Sequence, residues 1–304
     1  MAVSSLYVLH GIANSSTFIS QIVNARPTTG TELMTAMPSG LPFPLFVANQ
    51  NTNPAVPFES EQIKTILDLT GALSSIVDLS GANTDLLFKR VTDLGRRTAD
   101  ASSAHMRFRM SQAWLGVDSI SAGDRSPAVA NCRLGTTYDG SNNPLVPAGS
   151  VALSGTPTSA EHFVAGPVSL NTVSLPGIQD ISIEFNRQYI ELGGDGELYN
   201  TFAALGSYAP VITIRCTEHS WATYGLNGTS LTAMSCWLRK VARTGRVANA
   251  TEEHILFTAT AGLITVEESS GGTNEPSITT VRVSLVGADS TTEPITVDTT
   301  AAIS

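Results

Sequence analysis

The sequence predicts a mainly β protein built from two tandem β-sandwich domains, each with one short flanking α-helix. Three observations lead to this prediction. The chain of 304 residues repeats itself at about half its length, most of it alternates between apolar and polar residues, and Gly and Pro turns separate the alternating runs. Hydrophobic residues make up 42% of the chain, which is enough apolar material for two cores.

The repeat emerges when the segment 97–145 is shifted by 149 positions, which carries Arg97 onto Arg246 without a gap. Eleven of the 49 columns are then identical, where ordinary residue frequencies give about 3. Two β segments rich in Thr, Ser and Val could also agree through composition alone, but shared alternation would not align a Gly, a Pro and an Arg as well. The identical pairs are Arg97/Arg246, Ala99/Ala248, Ala101/Ala250, His105/His254, Phe108/Phe257, Val117/Val266, Ser121/Ser270, Gly123/Gly272, Pro127/Pro276, Arg133/Arg282 and Ser141/Ser290.

The alternating runs predict antiparallel strands joined by hairpin turns, with the turn of one hairpin at Ala122-Gly123 and its counterpart at Gly271-Gly272. In the first copy the predicted strands are Leu73–Leu79, Leu86–Val91, His105–Met110, Trp114–Ile120 and a run from Pro127 to about Tyr138. In the second copy they are Ile178–Arg187, Val211–Glu218, Met234–Val241, His254–Thr260, Leu263–Glu268 and a run from Pro276 to Val286.

One short helix is predicted in each copy. The first runs to Leu69 and stops at Gly71, with Ser60 as its N-cap. The second covers Gly196–Leu205, where apolar residues recur at helical spacing before Gly206.

The predicted boundaries are an N-terminal arm at 1–40, a first β domain at 41–145, a linker at 146–176, a second β domain at 177–290 and an acidic tail at 291–304. We expect the arm, the stretch 140–176 and the tail after Gly287 to be mobile in the monomer and to become ordered on assembly. The reason is that segments poor in apolar periodicity bury too little surface to offset their ordering entropy.

The net negative charge of the chain argues against binding to nucleic acid. The net charge is −9, and the stretch Val247–Ser304 carries eight acidic residues against Arg282 alone. Such a balance repels phosphate backbones. Only 14% of the residues are charged, well below the usual quarter, which indicates that much of the surface is buried in an assembly.

No run of 18 apolar residues is present, so no membrane partner is expected. Residues 1–12 lack the charged start and apolar stretch of a cleaved signal. Three cysteines without paired spacing are typical of a reducing compartment.

Catalytic and metal-binding patterns are weak. Cys216, His219 and Cys236 resemble part of a zinc site, but no fourth ligand stands at ordinary spacing. His105 and His254 occupy equal places, where a hydrogen bond to the backbone is favoured over a catalytic pair. Asp195 lies among glycines, which favours a turn over a cation-binding loop. The sequence therefore predicts no enzyme and no cofactor.

Basic residues recur at equivalent places in the two copies. They could bind nucleic acid, but carboxylates such as Asp85, Asp93 and Asp100 lie beside them in the sequence. Salt bridges between subunits are the favoured use. The candidates are Lys89, Arg90, Arg97, Arg239, Lys240 and Arg246.

The chain resembles a known family in the aromatic-basic segments Leu86–Arg90 and Cys236–Lys240, and in the succession of His254–Glu267, a Ser-Ser-Gly-Gly loop and Ile278–Val286. In these segments, and in the order of strand, short helix and paired strands, it resembles the major tail tube proteins of long-tailed, siphovirus-type bacteriophages. The resemblance covers most of both copies and contains no signature residue. It implies tail-tube-like sandwich domains whose inner sheets join those of their neighbours into a closed barrel.

The resemblance also implies a function and partners. Rings of six such domains stack into a hollow tube that conducts DNA into the host, so a chain with two domains is expected to form trimeric, pseudo-hexameric rings; hexameric rings are the alternative. The implied partners are the tape measure protein and passing DNA in the lumen, the tail terminator and the baseplate proteins. The implied location is the virion tail, assembled in the host cytoplasm.

The lumen of such a tube is expected to be acidic. In Ile178–Arg187 the apolar residues Ile181, Ile183 and Phe185 should face the core, which sends Asp180, Ser182 and Glu184 to the opposite surface. An ordinary solvated strand face is the alternative. The candidate lumen-lining residues are Asp180, Glu184, Asp118 and Glu267.

Two other functions remain open from the sequence. One is another duplicated sandwich protein of the virion, in capsid decoration or the baseplate. The other is a bacterial adhesive or carbohydrate-binding protein, which needs exposed Trp or Tyr to stack on sugars. Three Trp residues give that interpretation little support.

Overall fold

The computed structural model describes residues 6–15, 17–92, 95–158, 161–194, 196–217, 221–225, 227–272 and 275–303. The described chain is mainly β, with antiparallel sheets and two short helices. The elements of the first half are β1 (Leu6–Asn14), β2 (Thr17–Ile19), β3 (Ile22–Ala25), β4 (Thr31–Ala36), β5 (Phe46–Thr52), β6 (Ala55–Ser60), α1 (Ile63–Thr70), β7 (Val77–Asp78), β8 (Thr84–Val91), β9 (His105–Met110), β10 (Ala113–Gly123), β11 (Val129–Thr136) and β12 (Leu145–Val151).

The second half repeats this order, with one additional short strand, β21. Its elements are β13 (His162–Leu170), β14 (Val173–Leu175), β15 (Ile178–Glu184), β16 (Gln188–Leu192), β17 (Phe202–Ser207), β18 (Val211–Cys216), α2 (Trp221–Tyr224), β19 (Thr229–Leu231), β20 (Met234–Ala242), β21 (Gly245–Arg246), β22 (His254–Ala259), β23 (Gly262–Gly272), β24 (Glu275–Leu285) and β25 (Thr296–Ala301).

Strand pairing repeats as well. One sheet has the order β12-β9-β8-β1-β2, and a second sheet has the corresponding order β25-β22-β20-β13-β14. Both orders place the first strand of the copy next to a strand from its middle, so the N-terminal strand of each copy is an interior strand. The duplication predicted from 97–145 therefore extends over the whole chain.

A ten-stranded sheet joins the two copies. Its order is β19-β23-β24-β18-β15-β10-β11-β6-β3, with β7 also paired to β10. The two halves of this order correspond strand by strand. They meet where β15 of the second copy pairs with the C-terminal half of β10, from Ser119↔Glu184 to Gly123↔Asp180. We call this β10–β15 pairing the seam.

The core lies between the ten-stranded sheet and the two outer sheets. Ile120, Ile183 and Ile212 from the ten-stranded sheet are fully buried, as are Leu86 and Phe257 from the outer sheets, and all belong to one apolar cluster. Each such side chain contributes about 1.5–3 kcal/mol to folding when it leaves water. Strand alternation thus leaves the ten-stranded sheet with one apolar face, in the core, and one polar face.

The prediction of an N-terminal arm at 1–40 and a linker at 146–176 is wrong for most of both segments. β1 lies between β8 and β2 in its sheet, and residues 31–36 form β4. Within 146–176, β13 lies between β14 and β20 and buries Phe163 and Leu170. The sequence did not reveal these strands because β1 and β13 are buried through strands distant in sequence. The tail expected at 291–304 contains β25, which pairs with β22.

The helix predictions are partly wrong. α1 has Gln62 as its N-cap, and Ser60 instead accepts a hydrogen bond from the Gln62 N–H at 3.1 Å. α1 ends as expected at Gly71, which has a φ of 55° and donates to the Leu67 carbonyl. In the stretch Gly196–Leu205 the structure has no helix in its described residues. This stretch contains the start of β17, because its apolar residues pack in a hairpin rather than along a helical face.

Several strand bounds also differ from prediction. β15 ends at Glu184, because the chain turns at Asn186, whose φ is 46°. The predicted strand at Leu73–Leu79 is reduced to β7. Gly123 and Gly272 close long strands instead of forming the turns themselves.

Two fully buried histidines hold equivalent loops, as predicted. The Nδ1 atom of His105 accepts from the Arg90 N–H at 3.0 Å, and its Nε2 lies 2.9 Å from the Ala99 carbonyl. His254 makes the same pair of bonds, to the Lys240 N–H at 3.0 Å and the Ala248 carbonyl at 3.0 Å. Each ring joins a strand to the loop that follows it, so each is a structural clamp.

We expect His254→Ala to lower the free energy of unfolding by about 2–4 kcal/mol, because it leaves a buried N–H and a buried carbonyl without a partner. The measurement is equilibrium unfolding in urea, read at the transition midpoint. The control is His162→Ala, which removes a half-exposed ring and should cost less than about 0.5 kcal/mol. Equal costs for the two variants would contradict the clamp.

Candidate functional site

The polar face of the ten-stranded sheet, here called the open face, carries all four predicted acidic candidates. On β15, Ile181 and Ile183 are buried in the core while Asp180 and Glu184 point the other way. This confirms the predicted alternation. Asp118 and Glu267 lie in equivalent β-bulges of β10 and β23.

Arginines stand beside two of these carboxylates. Asp180 accepts from Arg215 at 3.1 Å, and Glu267 accepts from Arg282 at 3.1 Å. Both pairs are about half exposed, so each contributes at most about 1 kcal/mol to stability. In the described part of the chain Glu184 has no ion-pair partner. The open face therefore combines ion pairs, hydroxyls and the unpaired carboxylate of Glu184, so two of the four acidic candidates are neutralised by arginines.

Most of the predicted basic candidates make contacts within their own copy. Lys89 forms an ion pair with Asp100, and Arg239 donates to the Val247 carbonyl at 3.0 Å. Lys240 contacts Glu161 at 2.8 Å and Glu253 at 3.2 Å. Burial alone would lower the pKa of Lys240, but these two hydrogen bonds more than offset it and the pKa is raised. These residues stabilise loops within the chain.

Arg246 instead joins the two copies. Its Nη2 atom donates to the backbone carbonyl of Asp124 at 3.0 Å and to Oδ1 of the same residue at 2.5 Å. Asp124 follows β10, and Arg246 ends β21 of the second copy, so this contact lies beside the seam. Arg97, the first-copy equivalent of Arg246, is exposed. Arg90 contributes its backbone N–H to the His105 clamp.

Among the described residues, the seam leaves two edges of the ten-stranded sheet without a partner. At one end, β3 pairs with β6 on one side. At the other end, β19 covers Gly262–Ile264 of β23, and the C-terminal half of β23 has β24 as its partner on one side. In the repeat, β3 corresponds to β15 and β23 corresponds to β10. The two free edges are therefore equivalent to the two edges joined in the seam.

A second contact between the copies lies on the open face. The hairpin β16–β17, here called the second hairpin, leaves the second copy and packs on β10 and β11. The ring of Tyr189 lies 4.9 Å from the ring of Trp114, and its hydroxyl donates to Asp118 Oδ1 at 2.6 Å. Burial and the neighbouring Asp118 raise the pKa of the Tyr189 phenol.

Arg133 completes this contact. Its guanidinium lies 5.6 Å from the centres of both the Trp114 and Tyr189 rings and donates to Glu191 at 3.0 Å. Two glycines allow the close approach: a Cβ on Gly116 would overlap the Tyr189 hydroxyl, and one on Gly135 would overlap the Trp114 ring. Sequence reasoning missed this group, although Arg133/Arg282 and Asp118/Glu267 occur in matched columns of the repeat.

Other candidate chemistry is not supported. Among the described residues, no group of three or more His, Cys, Asp or Glu side chains is arranged to hold a metal. Cys216 and Cys236 are buried, and burial raises the pKa of the Cys236 thiol to about 12. His219 and Asp195 lie outside the described residues. The described helices include none that is long and apolar enough to cross a membrane.

Comparisons with known proteins add no assignment, because no family model matches the chain and no characterised protein is significantly similar to it in sequence.

We expect Tyr189→Ala to release the second hairpin from β10. Trp114 is 3% exposed, and loss of the covering ring should shift its fluorescence to longer wavelength and increase quenching by acrylamide. Tyr189→Phe is the matched control, since it keeps the ring contact and removes one hydrogen bond. Identical spectra for the Ala and Phe variants would show that the hairpin does not depend on this ring.

Proposed function

We propose that the protein is a structural subunit that assembles head to tail into rings, which stack as the hollow tail tube of a siphovirus-type bacteriophage. The observation that supports this most directly is the seam. It joins β10 of one copy to β15 of the next, and an equivalent pair of edges, on β23 and β3, is free at the two ends of the ten-stranded sheet as described.

The free edges fit each other by the register of the seam. Shifted by 156 positions, β15 falls on β3 and its continuation, so Ile181 corresponds to Ala25 and Asp180 to Asn24. Both strands carry the same irregularity, at Ile178/Asp180 and at Ile22/Asn24. Pro27 lies two residues after β3 and removes one donor from the continuation of its free edge, which is tolerated on edge strands. The remaining groups can pair as in the seam.

Head-to-tail pairing of this kind closes into a ring or continues as a fibre, depending on the rotation at each step. Closure removes both free edges, which otherwise favour aggregation. The resemblance to tail tube proteins favours six copies per ring, and hence three chains. The ten-stranded sheets would then form one continuous barrel with the open face toward its bore.

The open face suits a channel for DNA. Arg215, Arg282 and Arg133 are each paired with a carboxylate of the same chain, so they are not free to bind phosphate. Glu184 adds an unpaired negative charge, while Arg26 stands near the free edge of β3. A channel lined by this face would bind DNA weakly, because most of its positive charges are already paired with carboxylates. The expected partners are the tape measure protein, DNA in transit, the tail terminator and the baseplate proteins.

Other functions receive less support. A decoration or baseplate protein of the virion would not require two matched free edges. Sugar stacking by an adhesive needs exposed Trp or Tyr rings, whereas Trp114 and Trp237 are both buried.

Electron microscopy of the purified protein should reveal rings or hollow rods, and native mass spectrometry should give three chains per ring. We expect Ala25→Pro to abolish them, because its N–H points away from β6 toward the free side of β3 and would donate to the next chain. Circular dichroism serves as the control for an intact monomer. Rings of six chains, or undiminished assembly of folded Ala25→Pro, would contradict this arrangement.

The combined change Asp180→Lys and Glu184→Lys tests the function of the tube. We expect tubes to form but DNA passage to be impaired by several-fold, because four units of positive charge are added per chain on the wall of the bore. The matched control is Glu252→Lys with Asp298→Lys, which makes the same charge change at exposed positions near the outer sheet. Equal infectivity of phage carrying either pair would remove Asp180 and Glu184 from the bore.

A further inference from the structure

The hairpin β4–β5, here called the first hairpin, is the equivalent of the second hairpin. The pairs Leu33↔Asn49 and Thr35↔Val47 match Tyr189↔Leu205 and Glu191↔Ala203 at the same shift of 156 positions. Each hairpin also has its register irregularity at the same place, before Leu33 and before Tyr189. The two hairpins are therefore equivalent residue by residue.

The two hairpins differ in what covers them. The second hairpin packs with Tyr189 on the first copy, as described above. The first hairpin has exposed apolar side chains on both faces, with Leu33 at 61% and Met34 at 46% exposure. Val47, opposite Thr35, is also exposed. No described residue of the same chain covers Leu33, so its face is available to another molecule.

We propose that the first hairpin docks on the open face of the next chain, with Leu33 against Leu263 of that chain. This inference depends on the head-to-tail pairing proposed above but not on a phage function. The receiving surface is the equivalent of the one under Tyr189: Leu263 replaces Trp114, and Thr265 replaces Gly116. Leu263 is 45% exposed, as expected for an apolar residue that becomes buried when another chain binds.

The apolar residues differ in a matched way between the contact under the second hairpin and the contact proposed under the first. Under the second hairpin, two large rings meet, and glycines at 116 and 135 give them room. In the proposed contact both rings are replaced by leucines, and the glycines by Thr265 and Ser284. Smaller side chains in the contact thus accompany larger ones around it, which conserves the packed volume.

The polar residues also differ in a matched way between the contact under the second hairpin and the one proposed under the first. Arg133 forms an ion pair with Glu191 of the second hairpin. The first hairpin has Thr35 in place of Glu191, and Arg282, the equivalent of Arg133, is paired instead with Glu267 of its own copy at 3.1 Å. Glu267 is the equivalent of Asp118, whose partner is the Tyr189 hydroxyl; Leu33 has no hydroxyl. No charge would be buried without a partner under the first hairpin.

The first test is chemical cross-linking between chains. Leu33→Cys protein is mixed with Leu263→Cys protein, so that any product joins two molecules, and is treated with a bis-maleimide that spans about 10 Å, the spacing of packed sheets. The native cysteines are buried and should not react. We expect a linked dimer, and much less product when Met34→Cys, on the other face of the hairpin, replaces Leu33→Cys.

The second test is assembly. We expect Leu33→Asp to weaken association of folded chains at least roughly tenfold, because docking would bury an unpaired carboxylate. Met34→Asp adds the same charge on the opposite face and should change chain-to-chain association less than about twofold. Both variants are compared by native mass spectrometry on dilution.

The outcomes separate the two proposals. Rings that form without the 33–263 link, or that form normally from Leu33→Asp chains, would overturn the docking and leave the ring intact. The 33–263 link in open fibres would support the docking and overturn the closed ring. A protein that stays monomeric at high concentration would overturn both.

Discussion

The structure depends on the pairing of β10 with β15. This seam satisfies the backbone groups of two strand edges that would otherwise be exposed, and it fuses two half-sheets into one sheet of ten strands. It also fixes where the second hairpin and Arg246 fall, so that Tyr189 covers Trp114 and Arg246 reaches Asp124. Because the chain is duplicated, the same geometry that joins its halves defines which edges remain unpaired. The proposed assembly follows from that single constraint.

Duplication within one chain has a consequence that separate identical subunits do not have. The residues of two equivalent surfaces in one chain can change independently, and here they have. The internal interface carries aromatic rings, glycines and the Arg133–Glu191 ion pair. The equivalent surfaces that stay open carry leucines and an arginine paired within its own copy. An interface that forms once during folding can bury a charged pair. One that must form between separate chains avoids that desolvation cost by keeping its charges paired before association.

Features that depend on neighbouring residues were predicted from the sequence, whereas features that depend on residues far apart in the chain were not. The buried face of β15 followed from alternation, and the role of His105 and His254 followed from their repeated positions. The strand β1 was missed because its partner β8 lies about 80 residues away, and the stretch Gly196–Leu205 was misassigned because apolar spacing alone does not separate a helix from a hairpin. The ion pairs of Asp180 and Glu267 were missed because their arginines lie on neighbouring strands.

The sequence by itself determined that the protein is mainly β, that it is duplicated and that certain strands have a buried and a polar face, since these properties depend on local alternation and on repeated residues. Only the tertiary structure decided how the copies are joined, which edges are free and which acids are neutralised by arginines. Those properties depend on strand order, and strand order is set by pairing between segments far apart in the chain. The periodicity of the sequence does not indicate which strand edges pair with each other.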